Sequence, residues 1–195
     1  MVYKETYQNL YHGTDAETAR KIEKTGFEIR GCVGSWCGKG VYFYDVKRKA
    51  WWAAARKCRE IKNKTNRKIK PDILLADIVD LEDDKIFDMR IHTDICDFEE
   101  KTKFLFEDGS KIKIEGIEDE NERIIILRSI MISYYAHETG KKLVIGQFEQ
   151  RPQEDYNHIK EFSSNLNIVF GIETIYCVKD KSIIKNVRRR CNNEK

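Results

Sequence analysis

Between Leu10 and Ala55 the chain sets out an order of elements that few folds accommodate. Asn9-Leu10-Tyr11-His12 is short and partly aromatic, which suits a strand. Thr14-Asp15-Ala16-Glu17 reads as a capping box, with Thr14 accepting from the Glu17 amide and Glu17 reaching back. Ala16, Ala19 and Ile22 continue at helical spacing until Gly26, placed to end the helix. Residues 31–40 hold Gly31, Gly34, Gly38 and Gly40, and Val41-Tyr42-Phe43-Tyr44 follows as a β-prone tetrapeptide. From about Val46 to Ile61, alanines, tryptophans and long basic side chains favour a second helix.

Two such short strands need partners, and later segments supply them. Ile73–Val79, Leu143–Ile145, Leu166–Phe170 and Ile172–Val178 read as strands, and Glu122–His137 as a mostly buried helix. Residues 81–122 are acidic and weakly patterned, with no element assigned. The expectation is one α+β domain over residues 1–195, its late strands completing the sheet begun at Tyr11 and Tyr42. With 41% hydrophobic and 11% aromatic residues, the 195-residue chain can fill one core despite its 35% charged content. No apolar run approaches the ~20 residues of a membrane-spanning helix, and Met1–Glu5 lacks the start of a signal peptide. A cytoplasmic protein with no membrane association is expected. The six cysteines form no C-x-x-C pair and are expected to be reduced and mostly packed. His92 and Cys96, at i and i+4, are two ligands without the others that a metal site needs, so no metal is expected.

The residues suited to chemistry lie in the first third of the chain. Gly13 leaves bare backbone where an N–H and a C=O can bond a carboxamide. His12 can donate to a hydroxyl, and Tyr42 with a nearby indole offers two flat faces for an aromatic ring. A nicotinamide cation would gain further from those π-faces. The glycine loop is neither G-x-G-x-x-G after a strand nor a P-loop. Each of these residues has a plain structural use as well, and their order and spacing carry the functional reading.

Leu10-Tyr11-His12-Gly13-Thr14, then Gly26-Phe27, Gly38-Lys39-Gly40-Val41-Tyr42-Phe43 and Ala50-Trp51-Trp52-Ala53 together resemble the poly/mono-ADP-ribosyltransferase superfamily. The similarity is to the His…Tyr…Glu branch, as in PARP catalytic domains and small bacterial and phage-encoded members. It covers about the first 55 residues. It implies a split antiparallel β-sheet with flanking helices that binds NAD⁺ as co-substrate, without a metal. His12 would hold a ribose hydroxyl, Gly13 would pair with the carboxamide, Thr14 would adjoin the cofactor, and Tyr42 would stack on nicotinamide. Trp52 or Trp51 would supply the second aromatic, and the family's serine falls near Ala50. The third signature residue fits Glu173, in Gly171-Ile172-Glu173-Thr174-Ile175, where alternation puts Glu173, Ile175 and Cys177 on one face. Glu149 is the rival, because Gln147-x-Glu149 resembles the acceptor-side motif of the superfamily's other branch.

The implied reaction releases nicotinamide as a neutral ring, so no general acid is required. The barrier is positive charge developing on the ribose, as in glycoside hydrolysis. A fixed carboxylate there stabilises the transition state more than the ground state. The acceptor is a nucleic acid (RNA or DNA) or a protein, and a neutralising antitoxin partner is expected if the chain is a toxin. Two other readings stand beside this one: a non-catalytic NAD-binding module and a basic RNA-binding domain. The net charge of +3 conceals segments of opposite sign. Arg56–Lys70 carries eight basic residues against Glu60, residues 72–123 sum to −11, and Lys179–Lys195 to +5. These basic segments either attract phosphates beside the site or pair internally with the acidic middle.

Overall fold

The computed structural model describes residues 4–29, 35–109, 117–149 and 172–189, with backbone alone at 106–109 and 149. The expected strand Leu166–Phe170, together with Gly31, Gly34, Cys32 and Cys191, lies outside them. Strand β1 (Lys4–Asp15) leads into helix α1 (Ala16–Thr25), then β2 (Val41–Tyr44) into α2 (Lys47–Thr65). Next come β3 (Pro71–Glu82), β4 (Ile86–Asp88), α3 (His92–Gly109), α4 (Glu120–Glu138), β5 (Leu143–Glu149), β6 (Ile172–Val178) and β7 (Ile184–Arg189).

The seven strands form one sheet in the order β4-β5-β6-β2-β1-β3-β7, antiparallel except where β4 runs parallel to β5. The fold is thus mixed α+β, as expected. Its seams are unequal. β1 follows β3 from Lys4 to Asp15, and β5 follows β6 from Leu143 to Glu149. β1 meets β2 in register at Tyr11 opposite Tyr44 alone. Two blocks, β4-β5-β6-β2 and β1-β3-β7, therefore join at a narrow seam. The second block bends at bulges. Asn9, Asp80 and Asn186 adopt positive φ, and the Asp77 carboxylate accepts from the Asn9 N–H and Asn186 Nδ2, each at 2.8 Å.

Each face of the sheet has its own core. One gathers Leu10, Phe43, Leu74, Ala76, Ile145 and Val178 under Ala19 and Ile22 of α1 and Phe27. The other gathers Cys37, Phe87, Val144, Phe148, Ile175 and Cys177 under Ile132, Tyr135 and Ala136 of α4. α3 is fastened to α4 by the Tyr135 hydroxyl, which donates to Asp97 at 2.6 Å, and by Phe98 edge-on to the Tyr135 ring, and to β4 by Phe98 stacked on Phe87. α4 is buried along one stripe only. Ile124, Ile130 and Tyr134 are exposed, which corrects the expectation of a mostly buried helix. Cys37, Cys58 and Cys177 are free thiols packed in the interior. No helix of the described residues is long and apolar enough to cross a membrane.

The cap of α1 differs from expectation by one residue. Asp15, not Thr14, is the N-cap and accepts from the Thr18 amide at 2.9 Å. A carboxylate fits this place better than a hydroxyl because Lys57 of α2 also reaches it, at 2.9 Å. Burial works against the charge, but the Thr18 bonds and Lys57 outweigh it and hold the carboxyl at about 2. Thr14 instead accepts from the same ammonium at 2.7 Å.

Helix α2 lies against β1 through Ala50, Ala54 and Cys58. Gly13 makes this approach possible: a Cβ there would stand 1.8 Å from the Ala50 carbonyl oxygen and 3.0 Å from the Ala54 nitrogen. The position where the family serine would fall is thus buried alanine backbone against bare strand. Gly13→Ala must push α2 outward. It is expected to cost at least the ~1–3 kcal/mol typical of overpacking, read as a lowered urea midpoint; an unchanged midpoint would mean that α2 is not seated this closely.

Candidate functional site

The turn before β2 is built by backbone demands. Gly38 takes φ +73°, and a Cβ on Gly40 would meet Cys177 Sγ at 2.4 Å. The Tyr42 hydroxyl closes the turn, donating to the Gly38 carbonyl at 2.5 Å and accepting from the Cys37 amide at 3.0 Å. Burial pushes this phenol well above its usual range, so it stays protonated. Lys179 adds a bond to the Lys39 carbonyl at 2.8 Å and another to that of Cys37. The Gly38-Lys39-Gly40 motif is therefore a pinned turn that presents β2.

Register then decides which candidates share a face. Tyr42 lies opposite Cys177 and Tyr44 opposite Ile175, so alternation places Glu173 on the same face as both tyrosines. Phe148 of β5 stands directly opposite Glu173. The Glu173 side chain is 6% exposed and forms an ion pair with Lys49, in the first turn of α2. The rival Glu149 ends β5 opposite Ile172, and its side chain lies outside the described residues.

His12 belongs to the other face. Its ring meets Phe27 edge-on at 5.0 Å between centroids and Phe43 at 5.7 Å, whereas the Tyr42 ring packs in the second core. The link between His12 and Tyr42 runs through the backbone: His12 Nδ1 lies 2.8 Å from the Tyr42 carbonyl oxygen. That oxygen can only accept, so Nδ1 carries the proton. Burial, aided by Lys57 and opposed by the carbonyl, lowers the imidazole to about 4. A neutral ring with its proton on Nδ1 offers Nε2 as an acceptor. This corrects the expectation that His12 donates to a hydroxyl, since its one donor is committed inside the protein.

The remaining candidates separate. Thr14 is 1% exposed with its hydroxyl bound by Lys57, so its side chain has no surface to offer a ligand. Trp51 and Trp52 are both exposed. Trp52 stands one turn after Lys49 and carries the Arg56 guanidinium over its ring at 5.7 Å, which places it nearer the Glu173 side of α2 than Trp51. Lys49 and Tyr44 escaped the sequence reading. Lys49 is one of three consecutive cations, Lys47-Arg48-Lys49, and nothing in their types distinguishes the one that turns inward. Tyr44 follows from register with Ile175, which requires knowing that β2 pairs with β6.

His92 and Cys96 do share a face of α3, with Sγ 3.3 Å from Nδ1, and among the described residues no group of three ligand types gathers. The basic segments divide. Lys57 and Arg67 pair with Asp15 and Glu17, and Arg188 and Arg189 with Asp77 and Asp72 of β3. Much of the tail charge is thus spent on the acidic strand beside it. No family model, curated protein or solved structure matches the chain.

Two measurements probe the site. The folded value of His12 lies below its usual 6.5, so the unfolded chain binds more protons between pH 6.5 and about 4. The stability tied to neutral His12 is present above pH 6.5 and lost as pH falls through that window. Urea midpoints of His12→Asn should fall less between pH 7 and 4.5 than those of the native protein; parallel slopes would refute a neutral imidazole. Separately, Lys49→Met strands the buried Glu173 carboxylate, at a cost of ~3–5 kcal/mol. Adding Glu173→Gln should recover most of that loss, and additive losses would mean that the two side chains are not paired.

Proposed function

We propose that this chain is an NAD⁺-dependent ADP-ribosyltransferase that moves ADP-ribose, as a single unit, to a macromolecular acceptor. The observation that carries the reading is the buried Glu173 carboxylate at the head of β6, oriented by Lys49 and sharing a face with Tyr42 and Tyr44. A carboxylate held in this way does not reorganise when positive charge develops on the ribose, and such preorganised groups act most strongly on the transition state. Lys49 is then a positioning residue, leaving one carboxylate oxygen to accept from a ribose hydroxyl.

The divided sheet is in keeping with the split sheet that the motifs imply, and in this reading the substrate lies across the division. Glu173 and Tyr42 belong to one face and His12 to the other, so a molecule touching all three must lie across the β1–β2 seam. In this reading Nε2 of His12 accepts from a ribose hydroxyl there. The nicotinamide ring lies among Tyr42, Tyr44 and the exposed Trp52. The Gly13 carbonyl and amide remain the partners for its carboxamide, with α2 covering the side on which a Cβ would project. Nicotinamide departs with the electrons of the glycosidic bond, and the acceptor's nucleophilic atom takes its place on the ribose carbon and gives up a proton.

A second reading, an NAD-binding module without transfer, draws on the same ion pair, because Lys49 already neutralises Glu173. Nicotinamide release separates the two. The native protein should release nicotinamide from NAD⁺, and Glu173→Gln should bind NAD⁺ with little change while losing about 10²–10³ in rate. Binding without release in the native protein would favour the module. Full activity in Glu173→Gln would remove the carboxylate from the chemistry.

A further inference from the structure

The outward face of α2 carries an arrangement of which the site itself uses Trp52 alone. Arg48, Trp51, Trp52, Ala55, Arg59 and Lys62 recur at the i, i+3, i+4, i+7, i+11 and i+14 spacing of a single helical stripe. The stripe is opposite Ala50 and Ala54, which bury the helix against β1. Trp51 and Trp52 are 48% and 44% exposed, far more than indoles with a packing role, and Ala55 leaves a low place beside them. Arg48, Arg59 and Lys62 are exposed, and among the described residues none is paired with a carboxylate. Of the cations that do have partners, Lys49 and Lys57 lie off this stripe, and Arg56 borders it with its guanidinium over the Trp52 ring. The one acidic residue of α2, Glu60, is taken by Arg56 at 2.9 Å.

We propose that this stripe is the docking surface for a single-stranded nucleic acid, which is the acceptor of the ADP-ribose. The exposed indole of Trp51, beside Trp52, provides a face on which an unpaired base stacks, and unpaired cations on either side track the phosphates. An acidic protein segment would satisfy the cations but would leave the indoles unused. Duplex DNA or RNA would satisfy the cations but keeps its base faces hidden. The stripe also leads to the chemistry: Lys49, which holds Glu173, follows Arg48 directly, and Trp52 stands one turn further on. A strand stacked on Trp51 brings its next nucleotide past Trp52 to the Glu173 side of the helix. The acceptor role rests on the transferase reading above, whereas the binding itself does not.

The test is fluorescence anisotropy without NAD⁺, using labelled oligonucleotides of about 12 residues, which suits a site of this length. The probes are single-stranded RNA, single-stranded DNA and a duplex of the same sequence. Single strands should bind more tightly than duplex, with log K falling against log salt at a slope of about −2 for three phosphate contacts. Arg59→Glu/Lys62→Glu should weaken binding at least tenfold, and Trp51→Ala about tenfold, with thermal midpoints unchanged because all three side chains are exposed. In the same Arg59→Glu/Lys62→Glu protein, nicotinamide release without acceptor should equal that of the native chain, while label transfer from NAD⁺ to the oligonucleotide falls. Absence of single-strand binding at 50 mM salt, indifference to the charge reversals, equal affinity for duplex, or transfer only to protein would each overturn the proposal. Stripe-dependent binding without any nicotinamide release would instead overturn the transferase reading and leave the surface standing.

Discussion

One hydrogen bond, from His12 Nδ1 to the Tyr42 carbonyl, spans the place where the two strand blocks meet. Elsewhere the blocks are held internally by long registers, but at this seam β1 and β2 share a single registered pair. A seam so thin leaves backbone carbonyls in want of partners, and a side chain supplies one. The same bond fixes the histidine tautomer, while burial, aided by Lys57, outweighs its pull toward the protonated form and keeps the ring neutral. One imidazole thus bridges the fold and keeps its other nitrogen as a fixed acceptor.

A second helix secures the other half of the arrangement. α2 touches both blocks: its inner face lies on Gly13 of β1, and its first turn reaches Glu173 of β6 through Lys49. Lys57 extends the same helix to Asp15 and Thr14, where β1 gives way to α1. Motion of one block against the other therefore breaks buried polar contacts as well as packing. This explains how a sheet with a weak internal seam can hold residues from its two faces in fixed relation. The outward face of α2 is free of that duty, and it is there that indoles and unpaired cations collect.

Local chemistry made the first third of the fold readable. Gly26 ends α1 in a positive-φ conformation, and Val41–Tyr44 forms a strand by its composition. Where two local solutions compete, a distant residue decides. Thr14 and Asp15 can each cap α1, and Lys57, forty-two positions on from Asp15, selects the carboxylate. β7 went unseen because Ile184-Lys185-Asn186-Val187-Arg188-Arg189 is polar and interrupted by a positive-φ Asn186, as befits an edge strand. α3 was obscured by its many acidic residues, of which Glu99 and Glu100 face solvent while Phe98 and Thr102 turn inward. Among the site residues, Glu173 and Tyr42 follow from alternation once β2 and β6 are known to pair. The placement of His12 on the opposite face follows from the register of β1 with β2, where Tyr11 stands opposite Tyr44.

The central claim is that His12 bridges the seam by Nδ1 and keeps Nε2 available to an NAD⁺ ribose lying across it. Nitrogen-15 NMR of the imidazole ring, with and without NAD⁺, tests this most directly. At pH 7 the account predicts a neutral ring protonated on Nδ1, with the Nε2 resonance moving on addition of NAD⁺ as it accepts a hydrogen bond, and moving likewise in Glu173→Gln. A ring protonated on Nε2, or an Nε2 resonance indifferent to saturating NAD⁺, would contradict it.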